Sequence, residues 1–162
     1  MDRFMSAPDN LGGSRPASLT IPLNQDNGKL VLVIDDSQMI RRIVQYSLAE
    51  VAIKTVPFHS GIDAINALRA GVVPVPDLVL LDIGMPHMSG YDVASLLSSK
   101  PEFKGVPIVM LSGKGRIIDR LRAKRAGAID YITKPFEKRE FVHKIFALLK
   151  LKVPDIEPTP TD

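Results

Sequence analysis

The amino-acid sequence predicts an α/β fold, with a five-stranded parallel sheet covered by helices on both faces. Between residues 29 and 150, short apolar runs alternate five times with segments of helical periodicity. This alternation is typical of parallel strands joined by right-handed helical crossovers. The first run, Leu30–Ile34, is continuously apolar, as expected for a strand that is buried on both faces.

The first half of the domain contains two strand–helix units. Leu30–Ile34 is followed by a helix over 37–50, and Ile53–Phe58 by a helix over 60–71. Each helix begins at a serine, which can cap it, and the second ends at a glycine. The residues expected on the buried faces of these helices are Ile40, Ile43, Val44, Leu48, Ile62, Ile65 and Leu68.

The second half contains three further strands and three helices. The strands are Leu78–Asp82, Pro107–Leu111 and Ile129–Ile132, and the helices are one over 89–98, a basic one that ends near Ala126, and one over 137–149. Pro86 blocks continuation of the third strand, and Gly127 ends the basic helix. The last helix has an apolar face that contains Phe141 and Ile145.

Length and composition indicate how the chain is organised and which kinds of site it can contain. Its 162 residues predict one domain at 29–150, a flexible leader at 1–28 and a disordered, Pro-rich acidic tail at 151–162. The absence of cysteine excludes disulfides and thiolate metal sites. No apolar run approaches the roughly 18 residues that span a bilayer, and no signal peptide is evident. We therefore expect a cytoplasmic protein without membrane insertion.

Polar residues follow four of the strands where each strand ends. They are Asp35 and Asp36, Asp82, Ser112, and Lys134. The carboxyl ends of parallel strands meet at one edge of a sheet, so these groups are expected to converge. Three neighbouring carboxylates favour a hard divalent cation, and oxygen ligands favour Mg²⁺. Asp82 stands alone at its strand end and is the best candidate for a nucleophile toward a phosphoryl group.

Four sequence strings resemble the receiver domain of bacterial two-component response regulators. They are VLVIDDS at 31–37, LVLLDIGMPHMSG at 78–90, PIVMLSGK at 107–114 and DYITKPF at 130–136. The resemblance covers residues 29–150. It implies a flavodoxin-like (CheY-like) sheet in the strand order 2-1-3-4-5.

The resemblance implies a role for each acid. Asp82 would accept a phosphoryl group from the phosphohistidine of a sensor histidine kinase or phosphotransfer protein. Asp36, Asp82 and the backbone carbonyl of Gly84 would bind Mg²⁺ directly, and Asp35 would bind it through water. The protein would catalyse only its own aspartyl phosphorylation and dephosphorylation.

The resemblance also implies how phosphorylation is sensed. Ser112 and Lys134 would hold the phosphoryl group, and a cis peptide before Pro135 would direct Lys134 into the site. Tyr131 matches the aromatic switch residue of the family. The chain departs from common members at Gly84 and Lys114, positions that tune the hydrolysis of the acyl phosphate.

The basic helix is expected to contact a partner. Arg116, Arg120 and Lys124 recur every four residues, so they should share one face, which is either simply solvated or docks an acidic protein. Direct DNA binding is not expected, because no recognition-helix module is evident. Only about a dozen residues follow Lys150, so the output is expected to pass to an unidentified downstream protein from a monomer or weak dimer.

Three classes of function remain open from the residues. The leading one is a phosphorylation-dependent switch, and the string at 110–136 is also similar to stand-alone receivers of twitching-motility and chemotaxis-like systems. A phosphohydrolase could use the same carboxylates on free substrates. A phosphate-independent pseudo-receiver could act only as an interaction module, although its intact acids, Ser112 and Lys134 argue against this.

Overall fold

The computed structural model describes residues 27–113 and 115–153, and its sheet confirms the α/β prediction. Five parallel strands lie in the order β2-β1-β3-β4-β5. The strands are β1 Leu30–Ile34, β2 Lys54–Phe58, β3 Leu78–Asp82, β4 Ile108–Ser112 and β5 Asp130–Thr133. The helices are α1 Gln38–Ala49, α2 Gly61–Arg69, α3 Gly90–Ser98, α4 Ile117–Arg125 and α5 Lys138–Leu148.

The helices cover the sheet in two layers, each with its own apolar core. Leu32, Val79 and Met110 face the layer formed by α2, α3 and α4. Val31, Leu80 and Val109 face the layer formed by α1 and α5. The central strands β1, β3 and β4 contain almost only buried residues, which explains why they are continuously apolar in sequence.

Two residues expected on buried helix faces are exposed instead. Ile43 is 41% exposed and Ile62 is 49% exposed. In α1 the buried positions are Val44, Ser47 and Leu48, so Ile43 is turned about 100° away from the inward line. Ile62 similarly precedes the buried pair Ala64 and Ile65 of α2.

Several element boundaries differ from those expected. The basic helix begins at Ile117, and Arg116 is its N-cap residue. The fifth strand is Asp130–Thr133, one residue further along the chain than expected. The side chain of Ile129 is exposed, although its amide donates to the carbonyl of Ile108. The 3₁₀ turn Pro101–Phe103 is not among the predicted elements, although a proline at its first position and the buried Phe103 are consistent signals.

The expected leader and tail fall mainly on residues 1–26 and 154–162, which lie outside the described part of the chain. Within residues 27–113 and 115–153, none of the helices has the length and apolar character needed to cross a bilayer.

Candidate functional site

Three aspartates meet at the carboxyl edge of the sheet. Ile34 of β1 is paired with Leu81 of β3, which places the next residues, Asp35 and Asp82, side by side. Asp36 completes the group, and carboxylate oxygens of the three residues lie within 4.8 Å of one another. Asp35 is fully buried and Asp82 is 7% exposed, whereas Asp36 is exposed. The cluster is therefore open to ligands only on the side of Asp36.

The start of α1 fixes Asp35. Its Oδ1 accepts a hydrogen bond of 2.9 Å from the amide of Ser37, which is the N-cap of α1. Arg41, one turn into α1, donates from Nη1 to the backbone carbonyl of Asp35 at 2.6 Å. These two bonds hold the chain as it leaves β1, so the position of the buried carboxylate is set by backbone geometry.

Lys134 brings a positive charge to the aspartates from the end of β5, two strands away from β3 at the same edge of the sheet. Its amide donates to the carbonyl of Ser112 at 2.7 Å, and the Lys134–Pro135 peptide is cis. Its Nζ lies 2.5 Å from Asp35 Oδ2 and 3.0 Å from Asp82 Oδ1. The ammonium therefore bridges the two buried carboxylates, which come from different strands.

The charges in this cluster shift two pKa values. Burial and the neighbouring Asp35 carboxylate raise the pKa of Asp82, and the hydrogen bond from Lys134 reduces this rise without cancelling it. Burial alone would lower the pKa of Lys134, but its hydrogen bonds to Asp35 and Asp82 raise it. The site thus keeps a charged ammonium and has an excess of negative charge, for which a divalent cation would compensate.

The carboxylates suit Mg²⁺ as ligands. The cluster offers oxygen atoms only, from three acids, and one of the acids is exposed. Mg²⁺ prefers one or two carboxylates together with waters and phosphate oxygens. Gly84 lies two residues beyond Asp82 in an exposed loop. The donor set therefore fits a magnesium ion.

The hydroxyl and aromatic residues of the expected switch lie on β4 and β5. Ser112 ends β4 with 8% exposure and is paired with Thr133 of β5. Tyr131 is two residues before Thr133, so the two share a face of the sheet, and its side chain is buried in the core under α4. The Cζ atom of Arg120 lies 5.5 Å from the centroid of the Tyr131 ring. Lys114 is outside the described residues.

The helix α4 buries fewer residues than α3 and α5 do. Ala123 is its only buried residue, and it exposes three large apolar side chains, Ile117, Ile118 and Leu121. The three basic residues expected to form a partner surface are all exposed: Arg116, Arg120 and Lys124. Arg116 lies just before the helix and its Nε is 3.4 Å from Asp119. The exposed surface of α4 is thus both basic and apolar, and sequence reasoning missed the apolar part.

Sequence reasoning also missed Gly90. A Cβ atom at this position would lie 2.3 Å from the backbone oxygen of Asp82 and 2.9 Å from the Cα of Ile83. The amide of Gly90 donates to the carbonyl of Ile83 at 3.1 Å. A glycine here allows the start of α3 to approach the end of β3, and its place directly after the N-cap Ser89 is the available sequence signal.

The chain is similar to proteins of a known family. The family model described as the response regulator receiver domain matches residues 31–146. Protein PilG of Pseudomonas aeruginosa is 34% identical over 134 residues, which is 83% of this chain and 94% of PilG. The phosphate regulon transcriptional regulatory protein PhoB of Klebsiella pneumoniae is 37% identical over 74% of this chain. The chain spans 51% of PhoB, about half its length.

A solved structure shows the same architecture. The response regulator receiver protein from Burkholderia phymatum is 29% identical, with a TM-score of 0.69. The match covers 78% of this chain and 98% of that structure.

Proposed function

This chain belongs to the response regulator receiver domain family, and on that basis we propose that Asp82 accepts a phosphoryl group from a histidine kinase or phosphotransfer protein. The observation that carries the proposal is the site itself. Asp82 lies within 4.8 Å of two further carboxylates and accepts a hydrogen bond from Lys134. Receiver domains are signalling domains rather than classical enzymes, and they act through kinases and downstream effectors.

The proposed reaction is a single transfer. A carboxylate oxygen of Asp82 attacks the phosphorus of a phosphohistidine, the new O–P bond forms, and the N–P bond breaks with its electron pair going to the imidazole. The raised pKa of Asp82 reflects burial and a neighbouring negative charge, both of which favour loss of the carboxylate charge. Transfer to phosphorus gives an acyl phosphate whose negative charge is spread over the phosphoryl oxygens.

Charge neutralisation is assigned to the residues around Asp82. Lys134 already contacts Asp82 and would bind the phosphoryl oxygens, with the Ser112 hydroxyl as a second donor. Asp36, Asp82 and the Gly84 carbonyl would hold Mg²⁺ directly, and Asp35 through water. When bound, Mg²⁺ supplies positive charge against the carboxylates and the phosphoryl group.

The phosphorylated state is proposed to be read through Tyr131 and α4. Movement of Ser112 toward the phosphoryl group would change the surroundings of Tyr131, which lies on the neighbouring strand under α4. The helix α4, of which only Ala123 is buried and whose surface is basic and apolar, would respond to that change. We propose that a downstream protein with acidic and apolar groups binds there, in a cytoplasmic pathway.

The pathway is proposed to control motility or a chemotaxis-like response. The support is the similarity to stand-alone receivers and the match to PilG, which extends over 94% of that protein. We also propose that the receiver domain spans residues 29–150, with a leader before it and a tail after it. We propose no direct contact between this domain and DNA.

A small phosphodonor tests the proposal. Acetyl phosphate with Mg²⁺ should add one phosphoryl group to the wild-type protein, as measured on the intact mass, and none to the Asp82→Asn variant. Asp92→Asn, a change at an exposed aspartate of α3, is the control and should be labelled normally. Release of many equivalents of phosphate from generic esters would favour a phosphohydrolase. Absence of labelling would favour a phosphate-independent interaction module.

A further inference from the structure

A groove between α3 and α4 carries basic and aromatic groups that the phosphorylation site does not use. It is lined by Tyr91 and Ser95 of α3 and by Arg122, Arg125 and Ala126 at the end of α4, and it is a shallow, largely open depression of about 300 Å³. This volume is at the lower end of the range for small-molecule sites. None of these residues belongs to the aspartate cluster.

The groove presents four polar side chains, two from each helix. Tyr91 and Ser95 are four residues apart on α3, and Arg122 and Arg125 are three apart on α4, so each pair lies on one helix face. The Cζ atom of Arg122 lies 4.5 Å from the centroid of the Tyr91 ring. This contact places the guanidinium against the ring, and the guanidinium N–H groups can donate hydrogen bonds to a ligand.

No carboxylate of the described residues lies within ion-pair distance of the groove arginines, although Arg122 is near enough to help lower the pKa of Asp92. Within residues 27–113 and 115–153, neither Arg122 nor Arg125 forms an ion pair. Each of the two helices contains one acid. Asp92 on α3 accepts hydrogen bonds from the amide and hydroxyl of Ser89, and Asp119 on α4 faces Arg116.

The helix dipole gives a simpler reason for part of this pattern. Cations are favourable near the C-terminus of any helix, and Arg122, Lys124 and Arg125 lie in the last turn of α4. The dipole does not account for the contact of Arg122 with the Tyr91 ring, nor for a depression that Ser95 lines together with the two arginines.

We propose that this groove binds a nucleotide, with the phosphate on Arg122 and Arg125 and the base on the outer face of the Arg122 plane. Guanidinium groups bind phosphate through paired hydrogen bonds, and bases stack on guanidinium planes. The Ser95 hydroxyl is a further donor to the ligand. The bound nucleotide would join α3 to α4, the helix with a single buried residue. The proposal is independent of phosphorylation at Asp82.

Titration of the full chain with AMP tests this site. Amide chemical shifts would be followed by NMR in the presence of EDTA, with adenosine and inorganic phosphate as separate titrants. AMP should shift amides at 91–95 and 122–126 in a saturable manner. Adenosine and inorganic phosphate should each bind about tenfold more weakly, since each lacks one half of the contacts.

Variants in the α4 segment distinguish a specific binding site from a general effect of positive charge. The Arg122→Gln/Arg125→Gln protein should bind AMP at least about tenfold more weakly. Arg116→Gln/Lys124→Gln removes the same charge from the same segment outside the groove, and should change the affinity less than about twofold. The single variant Arg125→Gln, at an exposed side chain, keeps the test valid if the double variant fails to fold.

Three results would overturn the proposal. One is the absence of saturable shifts at α3 and α4, including shifts confined to the Asp82 edge. Another is an equal loss of affinity in the two double variants, which would indicate a diffuse charge effect. The third is inorganic phosphate binding as tightly as AMP, which would exclude recognition of the base.

Discussion

Replacement of Asp82 by asparagine should stabilise the metal-free protein. Folding holds the Asp82 carboxylate, which is 7% exposed, near two others, and burial and Asp35 raise its pKa. A raised pKa means that the folded state binds a proton more tightly than the unfolded state does. The free energy of unfolding of the wild type therefore falls as pH rises from the ordinary aspartate range through the raised pKa. Asparagine has no such dependence.

The size of the effect follows from the distances in the site. Asp35 and Asp36 each have an oxygen within 4.8 Å of Asp82, so at an effective dielectric constant of about 20 the two carboxylates together repel its charge by about 7 kcal/mol. Lys134, at 3.0 Å from Asp82, offsets about 5.5 kcal/mol of this repulsion on the same scale, and it can still donate to an asparagine oxygen. A net gain of about 1–2 kcal/mol in the free energy of unfolding at pH 7 remains. For a domain of this size the gain raises Tm by about 3–8 °C.

Urea denaturation at several pH values, in EDTA, measures this gain. The difference between Asp82→Asn and wild type should be largest at pH 7 and disappear below about pH 4, where the aspartate is protonated in both states. Saturating Mg²⁺ should reduce it, because the ion stabilises the wild-type carboxylates. Asp92→Asn is a control with the opposite expected sign. Hydrogen bonds from Ser89 lower the pKa of Asp92, so this substitution should lower the free energy of unfolding. An Asp82→Asn protein less stable than wild type at pH 7 would refute the electrostatic reasoning.

Three further predictions concern the site and its surroundings. Gly90→Ala places a Cβ 2.3 Å from the oxygen of Asp82, so phosphorylation by acetyl phosphate should slow by up to about a hundredfold, whereas Gly113→Ala, with nothing within 4 Å, should react normally. Arg120→Gln removes the cation from the Tyr131 ring and should lower the free energy of unfolding by about 0.5–1 kcal/mol in urea denaturation; an unchanged value would mean that the contact contributes nothing. Chelation by EDTA should reduce the rate of phosphorylation to background, and excess Mg²⁺ should restore it; a rate insensitive to chelation would exclude the metal.

The sheet could be predicted from the sequence because its strands are buried on both faces. A short, continuously apolar run such as Leu78–Leu81 is typical of a strand that is buried on both faces. Parallel topology then places the residue after each run at a common edge of the sheet. Helix faces were harder to predict. Ile43 and Ile62 fit a helical period, but each lies beside the buried face of its helix and is exposed. Which of two adjacent positions faces the sheet is decided by tertiary packing.

The contacts within the site could not be predicted in this way. Lys134 bonds to Asp35 and Asp82 across 99 and 52 residues of sequence, so no local pattern shows that one ammonium bridges both acids. The approach of Gly90 to Asp82 and the stacking of Arg122 on Tyr91 likewise depend on how elements pack together. Sequence placed the groups at one edge, and tertiary structure determines which of them touch.

The central claim is that Asp82 carries the phosphoryl group. Borohydride reduction of the acyl phosphate followed by peptide mass spectrometry locates it, because only a phosphorylated aspartate is converted to homoserine. After treatment with acetyl phosphate and Mg²⁺, homoserine should appear at position 82 and at neither Asp35 nor Asp36. Homoserine at one of those positions, or an unmodified residue 82 in protein that has gained a phosphoryl group, would contradict the account.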